Sequence, residues 1–225
     1  MKSLIGYKIG MTQVFLEDGQ AVPVTVVEVE PNVVLQNRTV EKDGYVALQV
    51  GITDVAEKGK NKPELGHFKK VGVTPKRIVK EIKGDELSAY KVGDEIRADL
   101  FKAGELVDVT GITKGKGFMG VVKTYGFRIG PQAHGSGFHR GVGSLATAGR
   151  TNNRIHPGRK MPGHHSHHQK TMLNLQVVAI DLEHNAILIK GAIPGPNKSL
   201  VTIRSAIKFT KNVKPISALV DYSAE

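Results

Sequence analysis

The most restrictive feature of this sequence is a stretch of 72 residues, Val109 to Ile180, that contains no aspartate or glutamate. It carries ten of the 32 Lys and Arg residues and seven of the nine histidines, whereas the rest of the chain is nearly neutral, with 22 bases and 21 acids. A solvated basic helix face normally interleaves acidic residues three or four positions away. Because this stretch excludes them, we predict a surface that binds a polyanion.

The middle of the stretch is also poor in residues that could form a hydrophobic core. Residues 130–170 contain no apolar run and no period of 2 or 3.6 residues, and consist mainly of Gly, His, Arg, Asn, Ser and Thr. About 40 residues of this kind are too many for an ordinary connection in a compact domain. We therefore expect an extended basic loop that is disordered or becomes ordered on a partner, as arginine-rich segments do on RNA.

The remaining chain predicts short β-strands joined by tight turns. Hairpins are expected where turn residues separate two apolar runs, namely Val14–Leu16 from Val22–Glu30, Val33–Val40 from Tyr45–Ile52, and Leu173–Leu182 from Ala186–Ile193. Further strands are expected at Lys76–Lys83, Gly93–Leu100, Leu106–Val109 and Leu200–Ile207. Short helices are expected at Pro63–Val71 and at Phe118–Tyr125, and a surface turn with Phe118 packed on the core is a compatible alternative for the second segment. Many short strands at regular spacing indicate a β-barrel or sandwich.

Several kinds of catalytic and metal site do not fit the residues present. The chain has no cysteine, which excludes a disulfide framework, a thiolate zinc site and a thiol nucleophile. Gly115–Gly120 matches the glycine pattern of dinucleotide-binding folds, but the acid required about 20 residues later is missing. The His164–His168 cluster and the serines near histidines have no neighbouring carboxylate that would complete a metal site or a triad. We predict no enzyme, no metal and no cofactor.

The sequence also predicts where the protein works. No apolar run approaches the ~20 residues that a membrane span needs. Met1–Gln13 lacks the apolar core and the small-residue cleavage site of a signal peptide. We expect a cytoplasmic protein with no membrane partner, which does not form a homo-oligomer.

Five segments carry distinctive motifs, and together they identify a family. These segments are Leu4–Gln13 (LIGYKIGMTQ), residues 101–120 (ending DVTGITKGKGFMG), His139–Ser144 (HRGVGS), Pro157–Gly163 (PGRKMPG) and Ile189–Gly195 (IKGAIPG). They resemble the third large-subunit ribosomal protein family in its bacterial form. The resemblance extends from residue 1 to about 209, so that the tail from Lys211 to Glu225 runs past the family's usual end.

This resemblance implies a mainly β fold. Residues 1–129 and 171–209 would form a β-barrel body with a small inserted α+β subdomain near 55–100. Residues 130–170 would form a long irregular basic loop that threads ribosomal RNA towards the peptidyl transferase centre, and residues 210–225 a tail without an assigned role. The resemblance also implies early binding near the 3′ end of the large-subunit (23S-type) rRNA, a role in subunit assembly, and contacts with ribosomal proteins fourteen and nineteen.

The residues expected to contact RNA are bases and histidines of the acid-free stretch, together with one lysine of the first motif. They are Lys8, Lys114, Lys116, Lys123, Arg128, His134, His139, Arg140, Arg150, Arg154, Arg159, Lys160, His164, His165 and Lys170. Two alternatives stay open: a free nucleic-acid chaperone or regulator that uses the same loop, and an enzyme with a mobile loop on a β-barrel.

Overall fold

The computed structural model describes residues 1–84, 89–146, 154–208 and 220. Two compact units can be distinguished, one formed by Met1–Ile112 with Gln169–Glu225, and the other by Thr113–His168. The predicted mainly β fold with a barrel body is confirmed.

In chain order the strands of the described residues are β1 (Ser3–Phe15), β2 (Ala21–Glu28), β3 (Asn32–Arg38), β4 (Ala47–Asp54), β5 (Lys76–Ile82), β6 (Glu95–Ile96), β7 (Leu106–Ile112), β8 (Phe118–Met119), β9 (Gly163–His164), β10 (Gln169–Asp181), β11 (Ala186–Lys190) and β12 (Leu200–Ser205).

Six strands of the first unit close a barrel in the order β1-β12-β7-β10-β11-β2, and all neighbouring strands are antiparallel. Inward-facing side chains alternate with outward-facing ones, and small barrels fill their interior with the inward set. The fully buried residues that do so include Val27, Val107, Val109, Ile187 and Ile203. The expected hairpins between β1 and β2 and between β10 and β11 are both present.

A four-stranded sheet of order β5-β4-β3-β6 forms the other part of the first unit. Helix α1 (Val40–Asp43) lies in the β3–β4 connection, and helix α2 (Lys62–Val71) follows β4. The predicted helix at Pro63–Val71 is confirmed, and its ends have the expected signals. Asn61 and Glu64 form a capping box, and Gly72 ends the helix at φ 78°.

Two element predictions differ from the structure. The prediction of one strand over Gly93–Leu100 is wrong: only Glu95–Ile96 is a strand, and Ala98–Leu100 is a 3₁₀ turn that brings Ala98 and Phe101 into the core. The first strand is longer than predicted, since β1 begins at Ser3. Gly6 interrupts its apolar pattern because a Cβ there would lie 2.5 Å from the carbonyl oxygen of Glu28 on β2.

Candidate nucleic-acid interface

The second unit, Thr113–His168, lies within the acid-free stretch, and its first and last residues pair with each other. β8 and β9 place Phe118 opposite His164 and Met119 opposite Gly163. The ladder continues outside the strands, where the Lys116 N–H donates to the His165 carbonyl at 3.0 Å, and the His165 N–H donates to the Gly117 carbonyl at 2.9 Å. The glycine-rich signature and the segment around Pro157–Gly163, distant in sequence, therefore form one surface.

Helix α3 (Val121–Tyr125) follows β8, so the helix expected at Phe118–Tyr125 is shorter than the spacing indicated. Val121 is fully buried, and the helix ends at Gly126, whose φ is 70°. The ammonium of Lys160 lies 5.4 Å from the centre of the Tyr125 ring. A cation over an aromatic face is attracted by the ring's electron density. This contact therefore holds Lys160 next to the helix.

The segment that begins at Gly130 contains a ten-residue loop closed by hydrogen bonds at its two ends. The Gly130 N–H donates to the His139 carbonyl at 2.8 Å, and the His139 Nδ1 lies 2.9 Å from the Pro131 carbonyl oxygen. A Cβ on Gly130 would lie 2.1 Å from the Phe138 carbonyl oxygen, so only glycine fits this crossing. Further along, the guanidinium of Arg159 donates to the Ser144 carbonyl at 2.6 Å. Hydrogen bonds to backbone carbonyls, from one main-chain N–H and from side chains, thus connect parts of this segment that have no apolar core.

The structure leaves most of the predicted contact residues exposed. Those exposed to solvent are Lys114, Lys116, Lys123, Arg128, His134, His139, Arg140, Arg154, Arg159, Lys160, His164 and Lys170. His165 is half-buried, with its backbone engaged in the β8–β9 ladder. Arg150 lies outside the described residues.

Lys8 differs from the other predicted contacts because its side chain is buried, with 6% of the residue exposed. Its ammonium donates to the carbonyl oxygens of Ile193 and Gly195, each at 3.0 Å. A buried ammonium needs such acceptors, since an unsatisfied charge in the interior is strongly unfavourable. Lys8 therefore connects two of the sequence motifs, Leu4–Gln13 and Ile189–Gly195, inside the body. Its charge does not belong to the exposed basic surface.

The bases of the two units have different electrostatic surroundings. In the first unit several bases face acids, as in Lys76–Asp54 at 2.7 Å and Lys2–Glu105 at 3.2 Å. The hydrogen bond from Lys76 holds the pKa of the Asp54 carboxyl below its ordinary value, and a second bond from the Thr74 hydroxyl adds to this effect. No base of Thr113–His168 has an acidic partner inside its own unit, because those residues include no Asp or Glu. Their charge is therefore available to a polyanion.

Exposed aromatic rings lie among these bases, and sequence reasoning missed them. Phe118 is 69% exposed, Phe138 is 45% exposed and Tyr125 is 43% exposed. The alternative in which Phe118 packs on the core is therefore wrong: Phe118 lies in β8, where its ring contacts His164 edge-on at 5.8 Å between centroids. Its apolar character and its spacing from Val121 gave no signal that the side chain faces solvent. Aromatic rings beside a basic groove are the stacking platforms on which single-stranded nucleic acids bind.

Some glycines of this unit are not required by its fold. A Cβ on Gly120, Gly137 or Gly163 would meet no atom within 4 Å, and none of the three has a positive φ. Gly117 and Gly158 differ, because their φ values of 69° and 82° favour glycine. The open glycines leave bare backbone that a phosphate can approach closely.

Other classes of site find little support in the part of the chain that the structure describes. Its His, Asp and Glu side chains form no group of three or more that could hold a metal ion. No helix among these residues is both long and apolar enough to cross a membrane.

Comparisons with known proteins agree with this geometry. Residues 72–185 match the family model described as Ribosomal protein L3. The chain is 55% identical over 210 residues to the large ribosomal subunit protein uL3 of Lacticaseibacillus casei (strain BL23), covering 93% of this chain and 99% of the relative. It is 54% identical over 207 residues to the protein of that name from Lactiplantibacillus plantarum (92% and 98%), and 48% identical over 213 residues to that from Geobacillus kaustophilus (95% and 99%).

Proposed function

The chain belongs to the ribosomal protein L3 family, and from this premise we propose that its acid-free unit is the main surface through which it binds large-subunit rRNA. It is a structural, non-enzymatic protein of the large ribosomal subunit.

One observation carries the proposal: all but one of the predicted bases and histidines that the structure describes in residues 113–168 are exposed, in a unit that has no acid to neutralise them. Phosphate neutralisation by Lys and Arg supplies most of the sequence-independent affinity for nucleic acids. The exposed rings of Phe118, Tyr125 and Phe138 add stacking to this charge. Backbone at the open glycines can approach phosphates closely. Charge, stacking and close approach are thus combined within one unit.

The family supports a finer proposal about where this surface lies on the ribosome. We infer that residues 130–170 thread large-subunit rRNA towards the peptidyl transferase centre, while the barrel body stays at the subunit surface. Binding near the 3′ end of the 23S-type rRNA would then occur early in assembly. Ribosomal proteins fourteen and nineteen are the protein neighbours that we propose for the body.

Two double substitutions with equal loss of charge test this proposal. Arg159→Ala with Lys160→Ala removes two exposed bases of the acid-free unit. Lys58→Ala with Lys60→Ala removes two bases of the body, where Lys60 faces Glu64 at 3.9 Å. We expect the first pair to weaken binding to isolated 23S-type rRNA and to slow incorporation into large-subunit particles. The second pair should have little effect on either.

The measurements are filter binding at fixed salt and quantitative co-sedimentation with subunit precursors. Equal losses for the two pairs would remove the assignment of binding to the acid-free unit. A chain that binds rRNA but never sediments with high-salt-washed particles would favour a free nucleic-acid chaperone instead. Both double variants should unfold at the temperature of the parent chain, which excludes misfolding as the cause of any loss.

A further inference from the structure

In the described part of the chain, the C-terminal half of β1 pairs with a neighbouring strand on one side only, so its other side is an open edge. β1 pairs with β12 only through Ser3–Tyr7, but it pairs with β2 as far as Phe15. The last contacts on the β12 side are made by Lys8, whose N–H donates to the Ser199 carbonyl and whose carbonyl accepts the Lys198 N–H. Beyond that point no described strand pairs with this side of β1. Open edges of this kind readily accept another strand.

Alternation along β1 decides which backbone groups face this edge. Near the hairpin tip, the Leu16 N–H donates to the Gln20 carbonyl at 3.0 Å, so that Leu16 bonds towards β2. In an antiparallel pair, successive residues direct their N–H and C=O groups to opposite sides of the strand. The backbone groups of Met11, Gln13 and Phe15 are therefore directed away from β2, towards the open edge.

The chain's own C-terminal segment already reaches that edge. The Val220 N–H donates to the Phe15 carbonyl at 3.0 Å, and Val220 is half-buried. At the other end of the strand, the Ser205 N–H donates to the Lys2 carbonyl at 3.0 Å. Two bonds therefore connect the chain to the two ends of β1, one from the last residue of β12 and the other from Val220.

The length of chain between these two bonds is enough to reach the open edge. The 15 residues from Ser205 to Val220 can span at most about 50 Å when fully extended. The 13 residues from Lys2 to Phe15 along β1 cover at most about 43 Å at the usual rise of a strand.

The side chains beside the open edge match the composition of the tail. Met11 is 52% exposed and Phe15 is 40% exposed, on the face of the hairpin opposite the buried cluster of Leu16, Val22 and Val24. Residues 210–225 are uncharged at most positions and contain Val213, Ile216, Ala218, Leu219, Val220 and Tyr222. The similarity to the relatives covers 92–95% of this chain but 98–99% of theirs, so the chain is longer than they are by about the length of this tail.

We propose that the part of the tail 210–225 that leads up to Val220 binds along the open edge of β1, between Gly10 and Phe15, as an additional strand running parallel to it, and covers Met11 and Phe15. The occupant of this edge is thus a segment of the same chain. Main-chain hydrogen bonds to the outward groups of Met11 and Gln13 would supply the pairing, as in other cases of strand addition.

Hydrogen exchange of β1 amides tests the proposal in the intact chain and in a chain ending at Phe209. Deletion should speed exchange of the Met11 and Gln13 amides by about fivefold or more, the factor that corresponds to one net hydrogen bond. Amides of Val24 and Val27 on β2 serve as the internal reference and should change little. Unchanged exchange at Met11 and Gln13 overturns the proposal.

A pair of single substitutions isolates the backbone bond. Val220→Pro removes the N–H that donates to Phe15, whereas Val220→Ala keeps it and trims the side chain. We expect Val220→Pro to raise exchange near Phe15 towards the level of the shortened chain, and Val220→Ala to raise it much less. Protection that depends on protein concentration, together with a dimer in sedimentation velocity, would identify a second copy as the occupant and overturn the assignment to the tail.

Discussion

The buried carboxylate of Asp108 on β7 lies 3.6 Å from the guanidinium of Arg204 on the neighbouring strand β12. Asp108 is fully buried, and its other contacts are the N–H groups of Asn174 at 3.0 Å and Ile207 at 3.5 Å. The last acid before the acid-free stretch therefore ties β7 to β10 and β12. Asp108, which belongs to the signature segment 101–120, thus stabilises the barrel at β7 and β10, the two barrel strands that flank the acid-free unit in sequence.

Removing this carboxylate should destabilise the body. Asp108→Ala leaves the N–H groups of Asn174 and Ile207 without their acceptor in a buried site, and it leaves Arg204 without its acidic neighbour. We expect a loss of about 2–4 kcal/mol in the free energy of unfolding, measured by urea denaturation. Glu95→Ala, which breaks the exposed pair with Arg97, is the matched control and should cost at most about 1 kcal/mol. Equal effects would show that the Asp108 contacts add nothing beyond a surface pair.

The turn between β10 and β11 should respond to pH through Asp181 and His184. Their side chains are 2.7 Å apart, and the bond to Asp181 raises the pKa of His184 above its ordinary value. The backbone N–H and side chain of His184 lower the pKa of Asp181. The stabilisation that protonated His184 contributes is complete below the pKa of its ring in the unfolded chain, and it is lost as pH rises through the pKa of the ring in the folded chain. Stabilisation from Asp181 is present above its unfolded pKa and is lost as pH falls through the folded one.

The hairpin should therefore be most stable at acidic pH, above the pKa of Asp181 and below the pKa of His184 in the folded chain. An NMR titration of the His184 ring checks this expectation. Asp181→Asn should return the pKa of His184 towards its ordinary value, whereas Glu183→Gln should move it less because Glu183 is the weakest of the groups that raise it. A His184 ring that titrates at the same pH in the parent and in Asp181→Asn would contradict the pairing.

The sequence predicted the family and helix α2 from local motifs, whereas its strand pattern indicated a barrel or sandwich and the family resemblance implied the barrel. The comparisons confirm the family and, with it, the non-enzymatic role. Helix α2 is marked by Asn61, Pro63 and Gly72, whose effects act within one helical turn. The acid-free stretch is equally visible in sequence, since a count of acids requires no structure.

The sequence could not show features that depend on contacts with backbone atoms far away in the sequence. Lys8 is part of a conspicuous basic motif, but the carbonyl oxygens of Ile193 and Gly195 that bury its charge are about 185 residues away. Gly6 breaks the apolar alternation of β1 because Glu28 of β2 lies against it. The exposure of Phe118 follows from the pairing of β8 with β9, which brings His164 beside it. Each of these depends on a contact of long sequence separation.

Glycines of the acid-free unit provide a test that separates RNA binding from folding. Gly120→Ala and Gly163→Ala place a methyl group in open space at an ordinary φ, so the unfolding temperature should stay near that of the parent chain. Bound phosphate, however, would meet the new methyl group, and we expect rRNA affinity to fall severalfold in filter binding. Gly66→Ala in α2 is the control, since it also meets no atom within 4 Å. That change should raise stability by about 0.5–1 kcal/mol and leave affinity unchanged.

The salt dependence of binding measures how many bases of the acid-free stretch contact phosphates. If six to ten of its bases neutralise phosphates, log K against log salt concentration should have a slope of about −4 to −9. Replacing a single exposed base, as in Lys116→Ala, should flatten this slope by roughly one unit. Lys60→Ala, which removes a base already paired with Glu64, should change it little. A slope shallower than about −2 that is insensitive to Lys116→Ala would mean that phosphate contacts lie outside this surface, because counterion release scales with the number of phosphates neutralised.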